Sequence, residues 1–431
     1  MRLRSLVGVL VFIAFVLLSA AAFTYFDAYL MFTISSSLFV TQAAIFLMAL
    51  EDADLKDPKP KRYPSLTIMV PAYNAGSTIV ESIKRIKEME YPRKFKIIVM
   101  EDASTDDTYE KIKNIPGIKI IRNTKNQGKA ASQNQVLAVV DTELVANIDS
   151  DTFPEKDALM KTIGHFNDPK IGAVTVLILP THTRNWLQKV QQFEYYNAFG
   201  FWHKSISSLG GMYVTPGPMT VYRTQALQDV DGFDPGNITE DMEVALHMQK
   251  MGWDIKCSVN TKVYTEVPDT LRSYFRQRIR WYRGKFLNGV KYKDLLFNRS
   301  HGALGTFIYP MSFIVEILSM TVLIGIITIN LDGFIRAVKH FVGVVQQNAF
   351  SLELLFNFDP LTWPPYLVFL VLTLLIWGYL LYTSMGFDSN RKPKLTELPY
   401  ILFYLTFYSF FITFTYVMSF FHELKGSERV W

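Results

Sequence analysis

The stretch Val145-Ala146-Asn147-Ile148-Asp149-Ser150-Asp151 decides how the rest of the chain is interpreted. Its first four residues form a short, largely apolar run bounded by polar residues, which predicts a buried β-strand. Two carboxylates follow at the carboxyl end of this strand, where open α/β sheets bind their ligands. Hard oxygen donors at this spacing suit Mg²⁺ or Mn²⁺ that is also held by a diphosphate. An ordinary loop gives the same Asp-x-Asp pattern, so the surrounding sequence has to decide.

Length and composition set the frame for this strand. The chain has 431 residues, with 49% hydrophobic and 14% aromatic residues, and the apolar excess lies at its two ends. It can hold one globular domain of roughly 250 residues plus membrane segments. The net charge of +5 gives no support to a nucleic-acid partner, and the Lys and Arg clusters beside apolar runs favour a membrane surface. The single cysteine, Cys257, excludes an intrachain disulfide.

Residues 1–50 predict two transmembrane helices. Apart from Asp27, no charge occurs between Arg4 and Glu51. Because about 20 apolar residues cross a bilayer, this run accommodates the spans Leu6–Phe26 and Leu30–Leu50. A cleaved signal peptide is the alternative, but the run is too long and continues past any small-residue cleavage site.

Basic residues flank both predicted spans on the same side. Arg2 and Arg4 precede the first span, and four basic residues follow the second: Lys56, Lys59, Lys61 and Arg62. By the positive-inside rule both flanks lie inside. We therefore expect a multi-pass protein of the plasma membrane with a cytosolic central domain.

The central region predicts an α/β domain. Residues 51–64, rich in charge and proline, indicate a linker, and residues 65–265 alternate between strand and helix patterns. Such alternation implies a mostly parallel sheet with right-handed crossovers. Besides the strand before Asp149, the predicted elements are strands Leu66–Val70, Phe95–Met100 and Ile118–Ile121, and helices Ser77–Met89 (with Ser77 as its cap), Thr108–Ile115 and Lys129–Val140.

Polar and aromatic residues follow successive strands of this sheet. Ala72 and Tyr73 come after the first strand and Asp102 after the second, so a cleft there would offer an aromatic face for a base and a carboxylate for its N–H. Gly128 and Lys129 add a turn and a cation at a helix N-terminus, which suit a diphosphate. Each residue has an ordinary explanation as a turn cap, a solvated helix start or a core side chain. Their joint occurrence at successive strand ends indicates a nucleotide site.

These segments resemble the nucleotide-binding half of the family 2 glycosyltransferases, inverting enzymes with a GT-A fold. Ile238-Thr239-Glu240-Asp241 is similar to the family's Thr-Glu-Asp element, and Gln277-Arg278-Ile279-Arg280-Trp281 to its Gln-x-x-Arg-Trp signature. That signature is typical of the membrane-embedded synthases of cellulose, chitin, hyaluronan and poly-N-acetylglucosamine. The resemblance covers roughly residues 65 to 300. The chain departs from the family at Glu101, where Asp is frequent, and at Ala75, where Glu is frequent.

The resemblance implies a role for each matching residue. Asp241 would be the catalytic base, which must lie within hydrogen-bond reach of the acceptor hydroxyl. Asp151, with Asp149, would hold Mg²⁺ or Mn²⁺ against the departing diphosphate. The donor site would comprise Ala72, Tyr73, Asp102, Lys129, Asp149 and Arg280, and the acceptor site Trp281, Glu240 and Gln277. A flat indole such as that of Trp281 suits a sugar ring.

Two further segments flank this site. Asp269–Val290 interleaves basic and apolar residues without acidic partners, which predicts an amphipathic helix in the membrane interface within residues 266–302. RNA binding by the same arginines is the alternative, and we expect no nucleic-acid partner. The turn-rich stretch Gly210–Pro218 matches a region that lines the acceptor site in the resembling enzymes.

Residues 303–431 predict a membrane region of about three helices. The spans are expected near Phe307–Ile329, Pro365–Thr383 and Tyr400–Phe421. The side of the C-terminus stays open, because Phe334–Phe356 is either an amphipathic segment or a further crossing.

The expected function is that of a metal-dependent, inverting hexosyltransferase. It would polymerise sugar from a UDP-sugar into a β-linked polysaccharide and pass the polymer across the bilayer. The first alternative is transfer of a single sugar to a lipid acceptor such as a sphingolipid or polyprenyl phosphate. The second is a catalytically inactive scaffold or transport subunit.

Overall fold

A computed structural model describes residues 10, 13–19, 28–51, 56–329, 335, 339, 365–388 and 391–427 of the protein. The chain divides into two compact units. One comprises mainly Phe46–Pro310 and Leu380–Tyr404, and it contains the sheet. The other comprises Met1–Ile45, Met311–Tyr379 and Leu405–Val430, and its described part consists of apolar helices.

The strands form one sheet with the order β3-β2-β1-β4-β7-β6-β8-β5. Their bounds are β1 Leu66–Ala72, β2 Lys96–Glu101, β3 Lys119–Arg122, β4 Leu144–Asn147, β5 Thr152–Pro154, β6 Ile171–Pro180, β7 Thr220–Arg223 and β8 Asp254–Thr265. β1 pairs in parallel with β2 and β4, as do β2 with β3 and β6 with β8. β7 runs antiparallel to both of its neighbours, and β5 runs antiparallel to β8.

The predicted α/β class is confirmed, and the sheet is more mixed than the prediction of a mostly parallel one. The parallel half, β3 to β4, follows from strands that alternate with helices. The centre differs because β7 is inserted antiparallel between β4 and β6. The direction of β7 depends on its pairing with β4 and β6, and the four residues of β7 carry no signal that predicts it.

The helices surround and follow the sheet. Those before β7 are α1 Ala28–Glu51, α2 Ile79–Lys87, α3 Thr108–Ile112, α4 Lys129–Leu137, α5 Ala158–Ile163, α6 Trp186–Tyr195 and α7 His203–Ser208, with a π-helical turn at Tyr196–Trp202. Those after β7 are α8 Thr224–Asp229, α9 Glu240–Lys250, α10 Leu271–Lys291, α11 Tyr309–Ile329, α12 Pro365–Gly386, α13 Leu398–Thr406 and α14 Tyr408–Lys425.

The core lies between the parallel strands and their helices. Ile79, Ile83 and Ile86 of α2 are buried at helical spacing and belong to the same cluster as the alternate β1 residues Leu66 and Ile68. The predicted cap at Ser77 is wrong, because the helix begins at Ile79 and the capping position, Thr78, makes no side-chain cap hydrogen bond.

The apolar helices match the predicted membrane spans in part. By length and composition, Thr33–Leu50 and Leu304–Gly325 can each cross a membrane, close to the predicted spans Leu30–Leu50 and Phe307–Ile329. The predicted single span Tyr400–Phe421 is broken, since α13 and α14 meet at an angle of 42°. α12 covers the predicted span Pro365–Thr383, and its stretch Val371–Gly386 is an apolar helix. Most of Leu6–Phe26 and of Phe334–Phe356 lies outside the described residues.

Candidate active site

The loops that follow β1 and β2 are joined to each other. Asn74 and Ala103 both adopt positive φ, at 50° and 56°, so each strand ends in a sharp turn. Asn74 Oδ1 accepts the backbone N–H of Thr105 at 2.8 Å, and the N–H of Ala75 donates to Thr108 Oγ1 at 2.8 Å. Ala75 is buried in this contact, so the departure from the family residue at this position leaves the turn intact.

Tyr73 and Ala72 lie where the sequence predicts them. The Tyr73 side chain is 50% exposed at the end of β1, which leaves a ring face open to a ligand. Ala72 is buried, and its carbonyl accepts the backbone N–H of Asp102 at 3.0 Å. The first and second strand ends are therefore neighbours.

Asp102 holds the glycine turn before α4. Its carboxylate accepts the N–H of Gln127 at 3.0 Å, the N–H of Gly128 at 2.8 Å and the side-chain amide of Asn123 at 2.7 Å. A carboxylate has about four acceptor positions, so most of them are occupied within the protein. The predicted contact of Asp102 with a base stays a prediction. Asp102 also stabilises the turn that precedes Lys129, because it accepts the N–H groups of Gln127 and Gly128.

Lys129 contacts both the carboxylate after β4 and the carboxylate at the start of α9. Its Nζ lies 2.7 Å from Asp149 Oδ1 and 3.2 Å from Glu240 Oε1. Burial alone would lower the pKa of Lys129, but the carboxylates of Asp149 and Glu240 outweigh it and hold that pKa above its ordinary value. The end of β4 and the start of α9, about ninety residues apart in the chain, are thus brought together by one ammonium group.

Two carboxyl groups near Lys129 have a pKa above the ordinary value of an aspartate side chain. Burial, with the charge of Asp149, raises the pKa of Asp151 to about 6. Burial, with the charge of Glu240, raises the pKa of Asp241 to about 6. In both cases Lys129 acts in the opposite direction. Such perturbed carboxyls are typical of functional sites, because a group poised near neutral pH can exchange protons during a reaction.

The Asp241 backbone is fixed by the turn-rich stretch before β7. Its carbonyl accepts the Thr215 N–H at 3.1 Å and the Thr215 hydroxyl at 2.8 Å, while its own carboxylate accepts the N–H of Met242 at 2.8 Å. Asp241 is the second residue of α9, close to the predicted helix start. Glu240 is buried beside it, and its predicted contact with an acceptor stays a prediction.

Buried contacts that no sequence pattern predicted hold this motif against α10. Asn288 Nδ2 donates to Thr239 Oγ1 at 3.1 Å, and Asn237 Nδ2 donates to Asn288 Oδ1 at 2.7 Å. A Cβ atom on Gly284 would lie 2.1 Å from Thr239 Oγ1, so only glycine allows this approach. The asparagine two residues before the Thr-Glu-Asp element was the available signal.

Gly217, within the predicted turn-rich stretch Gly210–Pro218, lies against the carboxylate and the cation expected on the donor side. Its carbonyl accepts the side-chain amide of Asn147 at 2.9 Å, and a Cβ atom there would lie 2.3 Å from Asp149 Oδ2 and 2.5 Å from Lys129 Nζ. The stretch Gly210–Pro218 therefore packs directly against the Asp149–Lys129 pair.

The Gln-x-x-Arg-Trp residues lie on α10, and Arg280 contacts the other motif. Arg280 Nη1 donates to the carbonyl of Ile238 at 3.0 Å, and its charge lowers the pKa of Asp241 against the larger effect of burial. Trp281 and Gln277 are partly exposed.

The basic side of α10 differs from the prediction. Arg278, Arg283 and Lys285 are buried in the protein. The segment has no acidic residue after Asp269, as the sequence shows, but Arg278 finds an acidic partner in Glu194 from another part of the chain. Whether α10 lies in a membrane interface stays a prediction.

The residues fit a divalent cation only if the ligand supplies further donors. In the part of the chain that the structure describes, no three His, Cys, Asp or Glu side chains form a metal-binding group. The charge of Asp149 contributes to the raised pKa of Asp151, and a cation between the two carboxylates would relieve this repulsion. Mg²⁺ commonly binds through one or two carboxylates plus substrate phosphates.

Comparison with known proteins finds a matching family and similar enzymes. Residues 144–421 match the model of the glycosyl transferase family group 2. Poly-β-1,6-N-acetyl-D-glucosamine synthases of Staphylococcus aureus (strain COL) and Staphylococcus epidermidis (strain RP62A) are 31% and 30% identical over 223 residues, which are 51% of this chain and 54% of each relative. In these matches the chain spans about half the length of its relatives.

A solved structure shares the fold. The mannosyltransferase PcManGT from Pyrobaculum calidifontis, in complex with GDP-Man and Mn²⁺, is similar with a TM-score of 0.61 at 19% identity, over 84% of this chain and 97% of that one. At this identity the likeness shows the fold alone, which is the expected GT-A fold.

Proposed function

The chain belongs to the glycosyl transferase family group 2, and from this premise we propose that it polymerises sugar units from a UDP-sugar into a β-linked polysaccharide. The observation that carries the transfer step is the position of Lys129, within 2.7 Å of Asp149 and 3.2 Å of Glu240, and the similarity to the staphylococcal synthases supports a polymer product. It places the strand-end carboxylates, which suit a donor diphosphate, beside Asp241, which suits an acceptor hydroxyl.

The donor would lie across the ends of β1, β2 and β4. Tyr73 would stack on the base, and Asp102 would accept its N–H or shape the turn beside it. Lys129 and Arg280 would meet the diphosphate. The staphylococcal relatives, which are synthases of poly-N-acetylglucosamine, support N-acetylglucosamine as the transferred sugar, and hence UDP-N-acetylglucosamine as the first donor to test.

Asp149 and Asp151 would hold Mg²⁺ or Mn²⁺ together with the donor. The mannosyltransferase that shares the fold forms a complex with both GDP-Man and Mn²⁺, which supports a divalent cation in this fold. When bound, the cation would supply neutralisation of the charge on the diphosphate.

Asp241 would act as the base of an inverting transfer. The acceptor hydroxyl oxygen attacks the anomeric carbon from the side opposite the diphosphate, the bond from that carbon to the diphosphate oxygen breaks, and UDP leaves. The proton of the hydroxyl passes to Asp241. Its pKa of about 6 leaves it deprotonated at neutral pH yet basic enough to accept that proton.

The acceptor would be held on the side of α10. Trp281 offers an indole face to the terminal sugar, and Gln277 and Glu240 offer polar groups around it. Stacking makes little demand on the identity of each added unit, which suits repeated addition.

The apolar helices support a membrane location. We propose a plasma-membrane protein whose catalytic domain faces the cytosol, with the bilayer as partner and the growing polysaccharide passing through the spans. Transfer of one sugar to a lipid acceptor would use the same donor chemistry and is the second candidate.

Product size separates these functions. Purified protein would be incubated with Mg²⁺ or Mn²⁺, membrane lipid and a panel of radiolabelled UDP-sugars and GDP-mannose, and the products would be sized. A ladder of oligomers supports the polymerase, and a single glycolipid supports the second candidate. Absence of transfer and of nucleotide release from every donor contradicts both and favours an inactive scaffold.

A further inference from the structure

Arg278 is the most deeply buried of the three buried cations of α10, ahead of Arg283 and Lys285. It occupies a variable position of the Gln-x-x-Arg-Trp signature, yet its side chain is fully buried, at 0% exposure. Its Nε donates to Glu194 Oε1 at 3.1 Å, and its Nη2 donates to the other Glu194 oxygen. This is a two-pronged contact of a guanidinium with a carboxylate, which fixes the plane of the guanidinium.

The same guanidinium contacts two side chains of the proposed acceptor site. Its Cζ lies 4.1 Å from the centroid of the Trp281 ring, and its Nη1 donates to Gln277 Oε1. Tyr274, one turn earlier, also stacks on it, with 4.8 Å between Cζ and the ring centroid. Trp281 lies three residues after Arg278 and so shares its helix face, while the neighbouring Gln277 is reached through the Nη1 hydrogen bond. One buried cation therefore contacts both acceptor residues.

Glu194 is a firm anchor because α6 is tied to the segment before α10. Gln191 Nε2 donates to the carbonyl of Pro268 at 2.8 Å, and Gln188 Nε2 donates to that of Val267 at 3.2 Å. Just beyond α6, the Tyr196 hydroxyl donates to Asp388 Oδ2 at 2.6 Å. The chain is thus hydrogen-bonded to other segments both before and after Glu194, which fixes the position of this residue.

We propose that Glu194 and Arg278 are positioning residues for the acceptor: they hold the indole of Trp281 and the amide of Gln277 in the orientation that receives a sugar. The inference rests on the proposed function. The physical reason is that a side chain binds well only when neighbouring groups hold it in the rotamer that contacts the ligand. Lysine could not replace Arg278, since a compact ammonium neither grips a carboxylate in two places nor stacks on an indole in the same way.

The test measures two affinities on the same purified full-length variants. The probes are UDP with Mn²⁺ for the donor side and a short β-1,6-linked N-acetylglucosamine oligomer for the acceptor side. Glu194→Gln and Arg278→Lys should weaken oligomer binding about tenfold and shorten the products, with UDP affinity within about twofold of wild type. Arg276→Gln, which removes an exposed cation of the same helix, is the matched control and should change neither affinity.

Two further variants decide between positioning and mere support of the fold. In Trp281→Ala, which lacks the indole, adding Glu194→Gln should weaken oligomer binding by no more than Trp281→Ala alone, because the pair acts through that ring. The double variant Glu194→Gln/Arg278→Gln leaves no unpaired buried charge, so it should keep UDP affinity while oligomer binding stays weak.

Several outcomes would overturn the inference. Unchanged oligomer affinity in Glu194→Gln and Arg278→Lys would do so, as would parallel loss of both affinities in the neutral double variant. Additive losses in the Trp281→Ala background would show that the pair acts elsewhere. A wild-type protein that binds UDP but neither binds nor elongates the oligomer contradicts the proposed polymerase itself, and the inference falls with it.

Discussion

The ammonium group of Lys129 lies 2.7 Å from the carboxylate of Asp149. A cation that the sequence assigns to a diphosphate is therefore already neutralised by a residue assigned to the metal. The arrival of a metal-bound donor would let the two separate, with Asp149 turning to the metal and Lys129 to the phosphates. Both charges would then be compensated before and after donor binding.

Removing Lys129 should move the pH dependence of transfer. Lys129 lowers the pKa of Asp241 and of Asp151, so in Lys129→Met both pKa values rise above about 6. In the proposed mechanism both groups act in their deprotonated form, so activity should fall more at pH 6.5 than at pH 8.5. The pH profile of kcat/KM for the donor measures this, with Lys125→Met as an exposed control. An equal loss at every pH would contradict the electrostatic role of Lys129.

Asp241→Asn should abolish the base and spare the donor site. Loss of general-base catalysis is worth about 10²–10⁴ in rate. In the wild type, transfer should decline below about pH 6, where Asp241 becomes protonated. UDP affinity and single-turnover transfer, measured on the same sample, check the split between binding and chemistry. Full turnover in this variant would remove Asp241 from the proposed role.

Asp151→Ala should weaken metal-dependent UDP binding, and complete chelation should reproduce the effect in the wild type. Since the pKa of Asp151 is about 6, protons compete with the cation below that pH. The apparent metal affinity should then fall by up to about tenfold per pH unit. Titration of Mn²⁺ at pH 5, 6 and 7 measures this. Activity that survives complete chelation would exclude a metal from the mechanism.

Gly217→Ala should disturb the proposed donor site by crowding the side chains of Asp149 and Lys129. A Cβ atom at this position would meet Asp149 Oδ2 at 2.3 Å and Lys129 Nζ at 2.5 Å, so the pair must separate or the turn must move. We expect transfer to fall at least tenfold while the thermal midpoint changes little, because the strain is local. Gly386→Ala is the control, since nothing lies within 4 Å of a Cβ atom there. Wild-type activity in Gly217→Ala would contradict the tight fit of this turn.

Local sequence patterns predicted much of the parallel half of the sheet. β4 and α4 lie within a few residues of their predicted bounds, because alternating apolar runs and helical periodicity are local properties. The carboxylates at the end of β4 follow from the same reasoning. Asp102 shows the limit: its type and place were predicted, but its hydrogen bonds to the turn at Gly128 depend on a loop twenty-six residues later.

The rest of the site depends on contacts between distant residues. The pairing of Glu194 with Arg278 joins positions 84 residues apart, and the sequence around either residue does not predict its partner. The burial of Arg278 follows from that pairing, whereas the sequence of α10 alone favours an exposed cation. Close approaches such as that of Gly217 to Asp149 become visible only when the loops are folded together.

The missing side chain at Gly284 has a consequence for motion. With a would-be Cβ atom only 2.1 Å from Thr239 Oγ1, α10 and the start of α9 have no gap to close or open. Together with the hydrogen bond from Asn288 to Thr239, this close contact couples the two helices, so we expect Asp241 to move with the helix that bears Trp281. Any opening that would admit the proposed donor is then expected in the turns around Tyr73 and Gly217, with little change in the distance between Asp241 and Trp281.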